Sequence, residues 1–399
     1  MKLKLSFDRW FLIFVFTLIT SIQSYAATEI TTKIKGKDCP IVLVHGFLGW
    51  GRDEMAGYLY WGGNALDIEK HLAKKGFQVF TASVGPISSV HDRACELFWQ
   101  LKGGCVDYGA EHAKKFGHKR FGRKYSAMLP QWDEAHPIHM IGHSMGGQTI
   151  RYLAELLAQD FFNQGTNERW ILSVSTISTP HNGTTLATIV GNIFWNTFDE
   201  ILSGLVALSG GTLDSVYDFD LIQWGIERKR KESISSHLAR IVTAIGNTHD
   251  IASWDLSPQG ARELNEKIRV FPDLYYMSYA NSKTFKTWLS QVDLAKLSMN
   301  PALLFPADFM GTYRGEAIPA DKTNLWHIND GIVNTISMAG PSNSPIVKYR
   351  SGPIKKGIWT CIGHASDKDH LQIVGHYVDS SWIVNFYNNI AKRLATLDR

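Results

Sequence analysis

Apolar residues along this chain fall into short runs separated by glycine-rich and polar turns. Ile41–Val44, Gln78–Val84, Ile138–Ile141, Ile171–Ile177 and Leu274–Tyr279 are rich in β-branched residues, the pattern of buried strands. Between them, Leu66–Lys75 and Gly146–Ala158 carry helical patterns, and Trp382–Leu397 sets Ile383, Phe386, Ile390 and Leu394 on one stripe. Strands alternating with helices predict an α/β fold with a mostly parallel central sheet flanked by helices on both faces. No internal repeat, low-complexity tract or linker breaks the pattern, so one domain with insertions is expected.

The first residues stand outside that pattern. Lys2, Lys4 and Arg9 precede an apolar run, Trp10–Ile22, that is short for a membrane span, and Ser24-Tyr25-Ala26 then offers small residues for cleavage. Residues 1–26 therefore read as a signal peptide and 27–399 as the mature domain, exported to the medium or the periplasm; a retained membrane anchor is the competing reading. At 399 residues, 44% hydrophobic and 20% charged, the chain can bury a large core. Loss of the leader removes three basic residues and Asp8, so the formal net charge of +4 becomes +2. The remaining basic residues are scattered, with only Lys114-Lys115 and Arg228–Lys231 approaching a run, which argues against a nucleic-acid partner. Cys39, Cys95, Cys105 and Cys361 form no dense framework; a Cys95–Cys105 bridge and a free, buried Cys95 both fit the sequence.

The chemistry concentrates at Gly142-His143-Ser144-Met145-Gly146-Gly147, which fits G-x-S-x-G. An apolar strand leads in and a helix leads out, so Ser144 stands on a sharp strand-to-helix turn, where neighbours two residues away must be small. Its hydroxyl is then held clear of the sheet at the positive end of the following helix. A hydroxyl attacks only when a base takes its proton, and this fold supplies acid and base in the order Ser, Asp, His. Asp330, at the mouth of the apolar run Ile332-Val333, and His370, near the C-terminus, are the candidates. Asp367 and Asp369 compete as acids in sequence only, since a side chain beside His370 ordinarily points elsewhere. Two backbone amides must stabilise the oxyanion. Met145, next to the nucleophile, is one; Phe47, in the loop His45-Gly46-Phe47-Leu48-Gly49 after the first strand, is the other.

Several blocks in this order resemble the thermostable Geobacillus-type lipases and their staphylococcal relatives. They are Pro40–Gly49 with Trp50-Gly51-Arg52-Asp53-Glu54-Met55, Tyr60-Trp61-Gly62-Gly63, Asp92-Arg93-Ala94-Cys95-Glu96, Val106-Asp107-Tyr108-Gly109-Ala110, Gly142–Thr149, Thr179-Pro180-His181-Asn182-Gly183-Thr184 and Asn329–Val333. The similarity runs from about Pro40 to the last helix. It implies an α/β-hydrolase fold, a secreted triacylglycerol lipase acting on lipid at an oil–water interface, and Asp330 and His370 as partners of Ser144. A phospholipase or carboxylesterase on the same triad is the alternative, a non-catalytic lipid-binding protein on the same scaffold a third; no stable protein partner is implied. The resemblance also implies a zinc site at Asp92, His112, His118 and Asp250, which, filled by four protein ligands, is structural rather than catalytic. It implies calcium at a carbonyl of Ser298, a position held here by the neutral Gln372, and a displaced acidic position near Asp379; loss of a carboxylate weakens such a site. The apolar, glycine-punctuated segment Leu186–Gly211 reads as a lid over Ser144, with a buried core helix as its rival.

Overall fold

The computed structural model describes residues 34–189, 200, 217–288 and 292–399. Residues Lys35–Arg399 gather into one compact unit; the leader proposed at residues 1–26 lies outside the described residues. Seven strands form the central sheet: β1 (Ile41–Val44), β2 (Val79–Ala82), β3 (Ile138–His143), β4 (Ile171–Ile177), β5 (Tyr275–Ser282), β6 (Ile346–Lys348) and β7 (Trp359–Ser366). They run in the order β6-β7-β5-β4-β3-β1-β2, and every neighbouring pair is parallel. Parallel neighbours need long crossovers, so helices cover both faces.

Strand residues alternate between two cores, as the period of two requires. On one face Ile41, Leu43, Ile141, Ile177 and Met277 meet the C-terminal helix through Ile383, Tyr387, Ile390 and Leu394. On the other, Val42, Val44, Met140 and Val174 meet helices α1 (Val90–Lys102) and α2 (Met145–Ala158) through Phe98, Leu101, Ile150 and Leu153. The C-terminal helix, α3, spans Ser380–Leu394 and buries Ile383, Ile390 and Leu394 of the stripe read from the sequence, with Tyr387 fully buried and Phe386 only partly so. A small antiparallel pair, Gly104–Asp107 with Phe121–Tyr125, brackets the short helix Ala110–Phe116; a second pairs Thr284–Lys286 with Asp293–Ala295. No described helix is long and apolar enough to cross a membrane. All four cysteines are free, with Cys95 buried and Cys105 exposed. Of the segment read as a lid, residues 186–189 and 200 are described; Leu186 is buried in the core, and 190–199 and 201–211 lie outside the described residues.

Candidate active site

The carboxyl ends of β1, β3, β5 and β7 face one rim of the sheet, where open α/β sheets place their chemistry. Ser144 sits between β3 and α2 with φ 55° and ψ −130°, a strained conformation for a residue with a side chain. The strain is held from both sides: the Ser144 amide donates to the Ile177 carbonyl at 2.8 Å, and the Gly147 amide donates to the Ser144 carbonyl at 3.0 Å. A Cβ on Gly142 would lie 2.5 Å from the Gly146 carbonyl, and one on Gly146 would lie 2.2 Å from the Val44 carbonyl oxygen. The small residues of the motif are therefore a steric condition for crossing α2 against the sheet.

Asp330, in the turn after the helix Thr323–His327 and held by Asn281 near the end of β5, meets His370, which follows β7. Asp330 is fully buried, and its Oδ1 accepts from the Ile332 and Val333 amides at 3.0 and 2.8 Å. Its Oδ2 accepts from Asn281 Nδ2 at 3.1 Å and from His370 Nδ1 at 2.7 Å. The His370 amide also donates to the Asp330 carbonyl at 3.0 Å, so backbone and ring are fixed together. With Nδ1 donating to Asp330, Nε2 is left as the acceptor. The His370 ring lies 4.6 Å from that of His143, the residue beside Ser144. The rivals point elsewhere: Asp367 pairs with Lys296 Nζ at 3.0 Å, and Asp369 accepts the Leu371 and Gln372 amides.

The loop after β1 presses onto the serine. A Cβ on Gly46 would come within 2.6 Å of Ser144 Cβ and 3.1 Å of its Oγ, so Phe47, the next residue, and Met145, the first of α2, flank Ser144. The first amides of a helix have no intrahelical acceptor, which suits Met145 to an anion. Residues with no role readable in the sequence hold this loop. The Tyr60 hydroxyl accepts from the Gly46 amide at 3.0 Å and donates to His143 Nδ1 at 2.5 Å. Burial and then the neighbouring His370 hold His143 well below the ordinary histidine range, so it is a neutral acceptor. Arg93, fully buried, donates to the carbonyls of His45 (2.5 Å) and Gly85 (2.8 Å) and to Thr149 Oγ1 of α2 (3.0 Å). Burial pushes it down only to about 10, so it stays charged at neutral pH. His45 pairs with the Gly46 carbonyl through Nδ1 and accepts the Val84 amide at Nε2; burial, then Arg93, push it down to about 3. Tyr60 and Arg93 lie inside the blocks that carried the resemblance, which was their only signal.

Asp92 from α1, His112 from the short helix, His118 and Asp250 converge, each offering a ligand atom within 4.8 Å of the others. His112 Nε2 lies 3.3 Å from Asp92 Oδ1 and 3.1 Å from Asp250 Oδ1, and His118 Nε2 lies 3.2 Å from Asp250 Oδ2. Asp92 Oδ1, both Nε2 atoms and Asp250 Oδ2 are buried without hydrogen bonds, so a cation would satisfy all of them together. Outer contacts orient two ligands: His118 Nδ1 meets the Lys119 carbonyl at 2.8 Å, and Gln223 donates to Asp92 Oδ2 at 2.9 Å. The cluster can hold a metal ion.

The residues read for calcium do not fit that ion. Ser298 is exposed in the turn before Asn300. Gln372 Oε1 accepts from Lys283 Nζ at 2.7 Å. The Asp379 carboxylate caps α3, accepting from the Ser381 and Trp382 amides at 2.8 and 3.2 Å. Calcium takes six to eight oxygens, and here an ammonium and a helix end already use them.

The model of the family described as "Lipase-like, C-terminal domain" matches residues 37–398. The chain belongs to this family. In structure it resembles EstA from Clostridium botulinum with a TM-score of 0.83, at 39% identity over 92% of this chain and 89% of that one. It resembles lipase 1 from Pelosinus fermentans (0.80; 38% identity; 90% and 99%) and Staphylococcus hyicus lipase (0.76; 32%; 90% and 96%). The fold is thus the α/β-hydrolase fold of these lipases. The curated lipases of S. hyicus and S. aureus (strain MRSA252) are 34% and 33% identical over 92% and 96% of this chain. The chain spans only 58% and 60% of their length.

Proposed function

We propose that this protein is a lipase that hydrolyses triacylglycerol esters through an acyl-enzyme on Ser144. The observation that carries the reading is a serine on a strained strand-to-helix turn whose neighbour His143 lies 4.6 Å, ring to ring, from an imidazole fixed by a buried carboxylate at 2.7 Å. His370 Nε2 takes the hydroxyl proton as Ser144 Oγ attacks the ester carbonyl carbon. The carbonyl oxygen becomes an oxyanion, held by the amides of Phe47 and Met145. Collapse breaks the carbon–oxygen bond, and the alcohol leaves with the proton from His370. Water, deprotonated by the same imidazole, then releases the fatty acid and restores Ser144. Asp330 keeps the ring in one tautomer and stabilises the imidazolium. Ser144→Ala should lower fatty-acid release from an emulsified triacylglycerol by roughly four to six orders of magnitude while leaving thermal unfolding unchanged. Comparable release by the variant would remove Ser144 from the mechanism.

In the same reading, the cluster of Asp92, His112, His118 and Asp250 holds zinc. Mixed imidazole and carboxylate donors suit that ion, and four protein ligands leave no open position, so its role is structural. The apolar stretch after Leu186 serves as the lid, and residues 1–26 direct export; their sequence patterns support both assignments.

A further inference from the structure

The base of the proposed triad is held from two sides. One is Asp330. The other is a buried carboxylate, Asp369, directly before His370 in the chain. Asp369 is fully buried; its Oδ1 accepts the Leu371 and Gln372 amides at 3.1 and 2.9 Å, and its Oδ2 accepts the Asn300 amide at 3.1 Å. Gln372 answers with its Oε1 on the Asp369 amide at 3.2 Å. This reciprocal pair, spaced as in a capping box, closes the turn that carries His370.

One cation serves the turn. Lys283 follows the last residue of β5, and its side chain is only 4% exposed. Its Nζ donates to Gln372 Oε1 at 2.7 Å and lies 3.8 Å from Asp369 Oδ2. Its backbone is pinned as well: its amide donates to the carbonyl of Asn329, beside Asp330, at 2.9 Å, and its carbonyl accepts from the Lys296 amide at 3.0 Å. Lys283 thus joins the chain next to Asp330 to the turn bearing His370, using one buried ammonium on a rigid strand end. A buried carboxylate without a cation is costly, so the turn depends on that charge.

We infer that Lys283 is a positioning residue for His370, a covalently attached cation at the place where the family resemblance implied calcium, and that esterase activity is accordingly independent of calcium. The activity part of this inference rests on the proposed ester hydrolysis; the positioning part does not.

The test uses the whole chain in buffer stripped of calcium over a chelating resin and resupplied with zinc. Hydrolysis of p-nitrophenyl butyrate should proceed at one rate with or without added calcium chloride. Lys283→Met, checked for folding by circular dichroism, should lower kcat between about tenfold and a hundredfold and leave KM within about twofold. The downfield proton resonance of His370 Nδ1–H, identified by its loss in His370→Gln, should be present in the calcium-free parent and lost or broadened in Lys283→Met. An unchanged kcat and resonance in Lys283→Met overturns the inference, as does a parent whose activity and resonance require calcium. A parent with no esterase activity would refute the functional reading, while the resonance still decides the role of Lys283. Should Lys283→Met not fold, the calcium-free parent decides: a resonance without calcium supports the built-in cation, and its appearance only on adding calcium rejects it.

Discussion

At the scale of single residues, the site depends on buried polar side chains that each hold more than one neighbour. Tyr60 is the clearest case, because its hydroxyl serves both the Gly46 amide and His143 Nδ1. Tyr60→Phe keeps the ring and its packing while orphaning two buried groups. A stability loss of about 2–4 kcal/mol is expected from denaturant unfolding. Because Gly46 adjoins Phe47, esterase kcat should also fall, by about tenfold or more. A variant with parent stability and kcat would mean that the loop holds itself. Arg93 acts on a wider span, tying the His45 and Gly85 carbonyls to Thr149 on α2. A lysine there would carry the charge without the planar set of donors.

At the scale of elements, the decisive feature is the crossing of α2 over the end of β1. Gly146 packs against the Val44 and His45 carbonyls, where a Cβ would sit 2.2 and 2.6 Å from their oxygens. Both obstacles are backbone, so no rotamer change relieves them. Gly146→Ala should therefore cost about 3 kcal/mol or more and abolish activity together with the fold of the turn. Near-normal thermal unfolding of that variant would contradict the packing described. The G-x-S-x-G pattern was legible because a steric rule links its spacing to a backbone shape. The strands β6 and β7 were not legible. Trp359–Ser366 reads W-T-C-I-G-H-A-S, with small and polar residues on a partly exposed strand, so no β-branched run announces it. Helix α1 was missed as an element for a related reason: its buried face includes Asp92, Arg93, Glu96 and Gln100, which blur the apolar stripe.

At the scale of the whole molecule, the metal cluster joins α1, the insertion between the paired strands, and Asp250, segments far apart in sequence. A ligand bound only by the folded state stabilises it by mass action, and one that links remote segments also restrains opening between them. Removal of metal with a chelator should lower the unfolding midpoint by about 10 °C, and zinc should restore it. Metal analysis of the purified protein should find close to one equivalent. An unchanged midpoint with no bound metal would leave the four residues as paired imidazoles and carboxylates that hold no ion. Arg93, the neighbour of Asp92, holds the His45 and Gly85 carbonyls and Thr149 on α2, so metal loss should also reduce activity.

What the sequence by itself determined is whatever local geometry enforces. The alternation of buried strands and amphipathic helices implied the parallel sheet, and the glycines around Ser144 implied the turn, because each is a rule acting within a few residues. The acid was legible only in part, since Asp367 and Asp369 lie beside His370 in sequence while Asp330 stands 40 residues before it. The tertiary structure separated them: it set Asp330 on His370, left Asp367 at the surface and turned Asp369 inward toward Lys283. It likewise recruited Tyr60, Arg93 and Lys283, whose roles arise from contacts across many residues, and it used Gln372 and Asp379 for an ion pair's neighbour and a helix cap. Such roles depend on which atoms share a low-dielectric interior, and only the folded packing decides that.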